Sequence, residues 1–316
     1  MHSARVAGGR PADVGVGWRL VDGLISLRRS RIAVRTRRFG PVFLVAPGIV
    51  LVGALAVGIG TLVWTSLHTY DSFLGTTGAF SGTEYSQVVS SPLFTVDLVR
   101  TLAMGILTAL IAVGLAIPFS LVLGRTRRRA VRLTLMTILF VPYLTGDITR
   151  TFGWLTVLSP NGPLVWIFGK LGIQFPLLIG TLWAIGLGTV QVVLPAAVII
   201  LLPSVLRLDP ELEVAAATLG ARRYRTFMLV TLPQLRVACF GALAACWALG
   251  VGDFADPQIL GEGVKDYLAN FLQDRYLEIG DAPQGGATAL IMLVLVTCGV
   301  AAILALGRLR VRRRAL

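Results

Sequence analysis

The chain is a succession of long apolar runs divided by short polar stretches, many of them rich in arginine. Six runs, near residues 42–67, 98–123, 133–157, 177–202, 236–260 and 286–306, are each long enough to cross a hydrocarbon core. Crossing about 30 Å takes roughly 20 helical residues. The pattern therefore predicts an all-α membrane protein with six transmembrane helices. The third run is weakened near its middle by Pro142 and Gly146, with Asp147 and Arg150 in the half that follows. In the fourth, Gln191 and Pro195 interrupt the apolar sequence, and Gly180, Gly186 and Gly188 permit close helix approach. The fifth closes with GVGDFADPQILGEG, where Gly252, Pro257, Gly261 and Gly263 end the helix and Asp253 and Asp256 sit near its mouth.

Between the fourth and fifth runs lies a polar island, Asp209 to Pro233. Asp209 suits a helix cap, Pro210 the first turn, and Glu211 and Glu213 place negative charge where the helix dipole favours it. The helix is expected to run to Leu219 and stop at Gly220, which tolerates the left-handed conformation; Arg222, Arg223 and Arg225 follow. Ala215, Ala216 and Ala217 give it a low-profile face that a partner's groove could approach closely. A short amphipathic helix lying on the membrane surface is the plainer alternative.

Composition agrees with a polytopic membrane protein: 55% hydrophobic residues, 14% charged residues and a mean hydropathy of +0.78. Charge sets the expected orientation. With a cytoplasmic N-terminus, the N-terminal tail, the 125–132 loop, the 207–236 island and the C-terminal segment hold 24 of the 29 Lys and Arg on the inner side. The outer side then receives 11 of the 16 acids. The expected layout is a basic cytoplasmic tail over 1–41, a membrane domain over 42–307 and a basic cytoplasmic tail over 308–316. The tail of about forty residues carries no motif and is expected to be mobile, its last part on the lipid surface. The first run is longer than the core of a secretory signal, and the reading keeps it in the mature protein.

The net charge of +13 does not point to nucleic acid, because the arginines cluster beside apolar runs; the lipid bilayer accounts for them. Cys239, Cys246 and Cys298 fall inside the runs and read as packing residues, and no zinc spacing occurs. The only lysines are Lys170 and Lys265, and neither stands in a phosphate-binding loop. No hydrolase motif is present, so the chain reads as a non-enzyme with no catalytic residues, metal or cofactor of its own.

Ionisable groups at membrane depth cost about 2.5–3.5 kcal/mol each on insertion scales, so they usually face a partner or a wet cavity. Asp147 and Arg150, three residues apart, either pair with each other or contact a substrate. Gln191 suits a cavity-lining face or a hydrogen bond between helices. Asp253 and Asp256 could hold a cation or form a solvated helix end.

At this point the residues resemble the membrane-spanning permease subunits of binding-protein-dependent ABC importers. Ala215, Ala216, Leu219, Gly220, Ala221, Phe227, Val230, Leu232 and Pro233 match that family's cytoplasmic EAA loop; Val214 stands where the family carries glutamate, with Glu213 one residue earlier. Pro142, Arg150, Thr151 and Trp154 match a third-span pattern, and Gly252, Asp253, Phe254, Pro257, Leu260, Gly261 and Gly263 match a second segment in which Glu262 replaces a common glycine. Across most of residues 40–310 the chain is most similar to spermidine/putrescine permeases of the first-subunit type.

The resemblance implies a type I ABC importer permease fold, placed in the inner membrane with both termini cytoplasmic. Its partners would be ABC ATPase subunits that bind the ATP and Mg, a second permease subunit and an extracytoplasmic substrate-binding protein. The helix in the 205–233 loop would be the coupling helix, with Glu211, Glu213, Ala215, Ala216 and Gly220 as its coupling residues. Asp147, Arg150, Trp154, Gln191, Asp253 and Asp256 are the expected pathway residues. A polyamine or another small organic cation is the expected substrate, and relatives sharing these motifs carry iron, sulfate or phosphonates. An ATP-independent carrier or channel is the rival in another class, and a structural or assembly protein ranks last.

Overall fold

The computed structural model describes residues 45–71, 76–173 and 176–312. The expected N-terminal tail lies outside them. Contacts divide the chain into two units, one ending at Thr61 and the other beginning at Leu62. The described part of the first unit belongs to α1 (Val45–Ser66), which carries no charged residue.

In the second unit a short antiparallel hairpin pairs β1 (His68–Asp71) with β2 (Thr76–Phe80) and precedes α2 (Thr83–Ser90). It is the one departure from an all-α fold among the described residues. The spanning elements follow: α3 (Pro92–Arg125), the bent pair α4 (Arg129–Leu144) and α5 (Asp147–Leu158), and α7 (Leu182–Leu206). The short α6 (Pro163–Lys170) lies between α5 and α7. Among the described residues five helices are long and apolar enough to span a membrane, and the bent pair, extended to Lys170, makes a sixth.

The third span is not the continuous helix expected over 133–157. Pro142 removes one backbone donor in the last turns of α4, Thr145 is extended, and the chain turns by 106° before α5 begins at Asp147. The polar island also differs from a loop between spans. After α8 (Pro210–Thr218), α9 (Arg223–Thr226), a π-turn over Phe227–Thr231 and α10 (Leu232–Val251) form one span, Arg223–Val251. The fifth run therefore begins earlier than expected. It also ends earlier, at Gly252; Pro257 sits inside a separate short α11 (Ala255–Leu260), and Gly261 caps that one. Then come α12 (Leu268–Gln273), a π-turn over Asp274–Glu278, and α13 (Ala282–Arg312), which continues through the first residues of the segment expected as a C-terminal tail.

The core is the packing of α3, α7 and α10. Lipid tails are as apolar as leucine, so helices in a bilayer associate through close packing of small side chains and not through water exclusion. Ala109, Ala112 and Ala116 of α3 meet Val193, Ala197 and Leu201 of α7 and Ala242 and Cys246 of α10. Gly105 shows how close the approach is: a β-carbon there would come within 2.9 Å of the Val251 side chain. On α13, Gly299 receives the Trp247 ring.

Candidate functional site

The break in the third span exposes the N-terminus of α5 to the end of α10. Asp147 occupies the first position of α5, where the helix dipole favours a carboxylate. One turn on, the Arg150 guanidinium donates to Asp147 Oδ1 at 2.9 Å; the Asp147 side chain is 73% exposed and that of Arg150 only 5%. Both line a cavity of about 540 Å³, together with Thr189 of α7 and Gly252, Asp253 and Phe254 beyond α10.

The acids that follow α10 are not a solvated helix end. Thr189 donates its hydroxyl to Asp253 Oδ2 at 2.6 Å, and Thr151 of α5 donates to Asp256 Oδ1 at 2.6 Å. Asp256 is wholly buried, and its Oδ2 receives no hydrogen bond from the described residues. Its backbone nitrogen lies 3.4 Å from Asp253 Oδ1. Gly188 makes the arrangement possible, since any β-carbon there would fall 2.7 Å from the Asp256 carboxylate. Tyr267, also fully buried, has a hydroxyl without a hydrogen-bond partner among the described residues.

Of the six expected pathway residues, Asp147, Arg150 and Asp253 line this cavity and Asp256 lies behind its wall. Trp154 and Gln191 do not line it. The Trp154 indole N–H donates to Gln191 Oε1, tying α5 to α7.

A second site lies at the arginine-rich end. Asp209 caps α8 by accepting from the Glu211 N–H at 2.9 Å. The helix ends at Thr218, one residue short of the expected Leu219. Gly220 then adopts φ +79°, with Ala221 N–H bonded to Ala216 O and Gly220 N–H to Ala217 O, each at 3.0 Å. These are the bonds of a left-handed helix stop. None of the α8 side chains is buried; Val214 is 63% exposed and Leu219 88%. Glu211 and Ala215 are exposed and Ala216 partly so.

Glu213 turns inward. Its Oε1 accepts from Arg125 Nη2 at 2.5 Å and from the Thr231 hydroxyl at 2.6 Å. Burial pushes the carboxyl pKa up, but the Thr231 and Arg125 hydrogen bonds and the Arg125 charge outweigh it and hold the pKa below the usual value.

No family model matches the chain. The inner membrane ABC transporter permease protein YdcU of Escherichia coli is 26% identical over 274 residues, 82% of this chain and 86% of that protein. The spermidine/putrescine transport system permease protein PotB of the same organism is 28% identical over 240 residues, 74% and 86% of the two chains. Among solved structures, a bacterial ABC transporter involved in import of the acidic polysaccharide alginate superposes with a TM-score of 0.68 at 14% identity, over 88% of this chain and 98% of that one. The fold is that of an ABC importer permease subunit.

Sequence reasoning missed Thr151 as a carboxylate partner, Thr189, Arg125 and Thr231. A threonine one or two turns inside an apolar run gives no signal of the acid it faces. Gly188 permits close approach as expected, and the group it admits is the Asp256 carboxylate of α11.

Proposed function

We propose that this permease forms one half of the membrane pathway of an ATP-driven importer for a small organic cation, with a polyamine as the first candidate. The observation that carries the reading is the Asp253 carboxylate, fixed by Thr189 in the wall of the 540 Å³ cavity, with Asp147 in the same lining. Ammonium groups entering such a site exchange water for charge-assisted hydrogen bonds, which offset the desolvation that burial imposes. The similarity to PotB supports the same substrate class.

In this reading the arginine-rich end faces the cytoplasm and the acid-rich end faces outward, as the positive-inside bias requires. ABC ATPase subunits, which carry the ATP and Mg, dock on α8 through its exposed Leu212, Val214 and Leu219. A second permease subunit completes the pathway, and an extracytoplasmic binding protein delivers the substrate. The protein itself performs no hydrolysis.

The test is uptake of labelled putrescine and spermidine by cells with and without the gene, competed by iron, sulfate and an aminophosphonate. Loss of polyamine uptake on deletion is the expected result. Unchanged uptake removes the polyamine, and the effective competitor names the substrate class instead. Co-purification of an ATPase subunit separates the importer from a carrier that works alone.

A further inference from the structure

One oxygen joins α8 to two spans at once. Glu213 Oε1 accepts from Arg125, the last residue of α3, and from Thr231, the last residue of the π-turn that leads into α10. Both bonds are short, and the ionic one belongs to the stronger, charge-assisted class. Among the described residues Arg125 has no other ion-pair partner, while Arg127, Arg128 and Arg129 follow after Thr126. Beneath the helix lies a pocket of about 320 Å³, lined by Arg125, Glu213, Arg223, Phe227 and Thr231 among others.

The two spans that Glu213 grips meet again at the other end of the bundle. Gly105 of α3 lies against the Val251 side chain at the end of α10. Two residues beyond Val251 stands Asp253, in the cavity wall. Thr101, one turn before Gly105, accepts the Leu268 N–H at 2.8 Å and so ties α3 to the segment that follows the acids. These contacts form a continuous path from the Glu213 carboxylate to the cavity wall along α3 and α10.

We propose that Glu213 is a positioning residue whose clamp on Arg125 and Thr231 transmits movement of α8 to α3 and α10, while the surface that α8 offers a partner consists of Leu212, Val214 and Leu219. The proposal rests on the reading of α8 as the helix that docks an ATPase subunit. Coupling between distant sites requires an element that both sites bias, and the clamp is a direct ionic hydrogen bond that joins α8 to α3.

The experiment uses the whole transporter: this chain with its native cysteines replaced and a single cysteine at Leu249, which lines the cavity, assembled with its second permease and ATPase subunits. The readout is the change in labelling rate by a water-soluble maleimide on addition of ATP, so it does not depend on knowing the substrate. In E213Q the ATPase subunits are expected to stay bound through purification while the ATP-driven change falls at least about fivefold, the lower range of coupling between sites. T231V should lose less, and the R125E/E213R exchange should restore part of the response. An E213Q protein that responds like the parent overturns the proposal, as does loss of the ATPase subunits from E213Q alone, which would make Glu213 a docking residue. If the parent itself carries no ATPase subunit, the importer reading fails first, before any variant is compared.

Discussion

Gly188 on α7 lies flush against the carboxylate of Asp256, so that a β-carbon on it would sit 2.7 Å from Oδ2. Asp256 is wholly buried and already bonded to Thr151, which leaves its short side chain little freedom to withdraw. Gly188→Ala should therefore push α11 away from α7 and disturb the cavity wall at Asp253. Overpacking of this kind costs about 1–3 kcal/mol. Lower thermal stability of the purified protein and reduced uptake are expected together; a variant with parental melting temperature and parental uptake contradicts the steric reading.

Thr189 and Asp253 offer a graded pair of changes at the cavity wall. Thr189→Val keeps the shape but removes the hydroxyl that reaches Asp253 Oδ2, while Asp253→Asn removes the charge. If Asp253 meets the cation, Asp253→Asn should raise the KM for it about tenfold or more, since losing about 1.4 kcal/mol of binding is a factor of ten. Thr189→Val should have the smaller effect. Saturation curves of uptake decide it, and a KM unmoved in Asp253→Asn places the cation elsewhere.

What the sequence made legible was what is local. The apolar runs locate the spans because lipid solvation requires them, and the Asp147–Arg150 pair was foreseeable because three residues on one helix place the groups together. The cap at Asp209 and the turn at Gly220 are local in the same sense. The rest depends on long loops closing correctly. Thr189 and Asp253 are 64 residues apart, Thr151 and Asp256 105, and Arg125 and Glu213 88. No spacing rule connects such pairs. Pro142 and Gly146 mark a weak point in the third span, but the size of the turn, 106°, and the packing of α5 on α11 and α7 are not local properties.

Gly220 holds a backbone conformation that side chains resist. Nothing lies within 4 Å of a β-carbon there, so the obstacle to substitution is φ +79° and not space. A non-glycine residue in this region costs about 1–2 kcal/mol, more for a β-branched one. Gly220→Val should shift the end of α8 and alter how it presents Leu219, leaving the spans folded. Transport should fall while ATP hydrolysis by the assembled transporter continues; an unchanged uptake rate would remove Gly220 from the coupling set.

The Glu213 clamp has a pH dependence whose sign follows from its electrostatics. The pKa of Glu213 is held below the ordinary glutamate value, because the bonds from Thr231 and Arg125 outweigh the opposing effect of burial. A lowered folded-state pKa means that the clamp contributes its full stabilisation above the unfolded-state value of about 4.3, and loses it as pH falls through the folded value. From neutral pH down to about pH 5 the parent should therefore melt at a higher temperature than E213Q by a constant margin. Below about 4.3 the margin should shrink, as protonation of Glu213 makes the parent resemble the variant. Added salt should narrow it as well, since Arg125 is half exposed and screened. Melting curves of both proteins in detergent, taken across this range, test the sign. A margin that widens on acidification would show that Glu213 is not ionised in the folded protein.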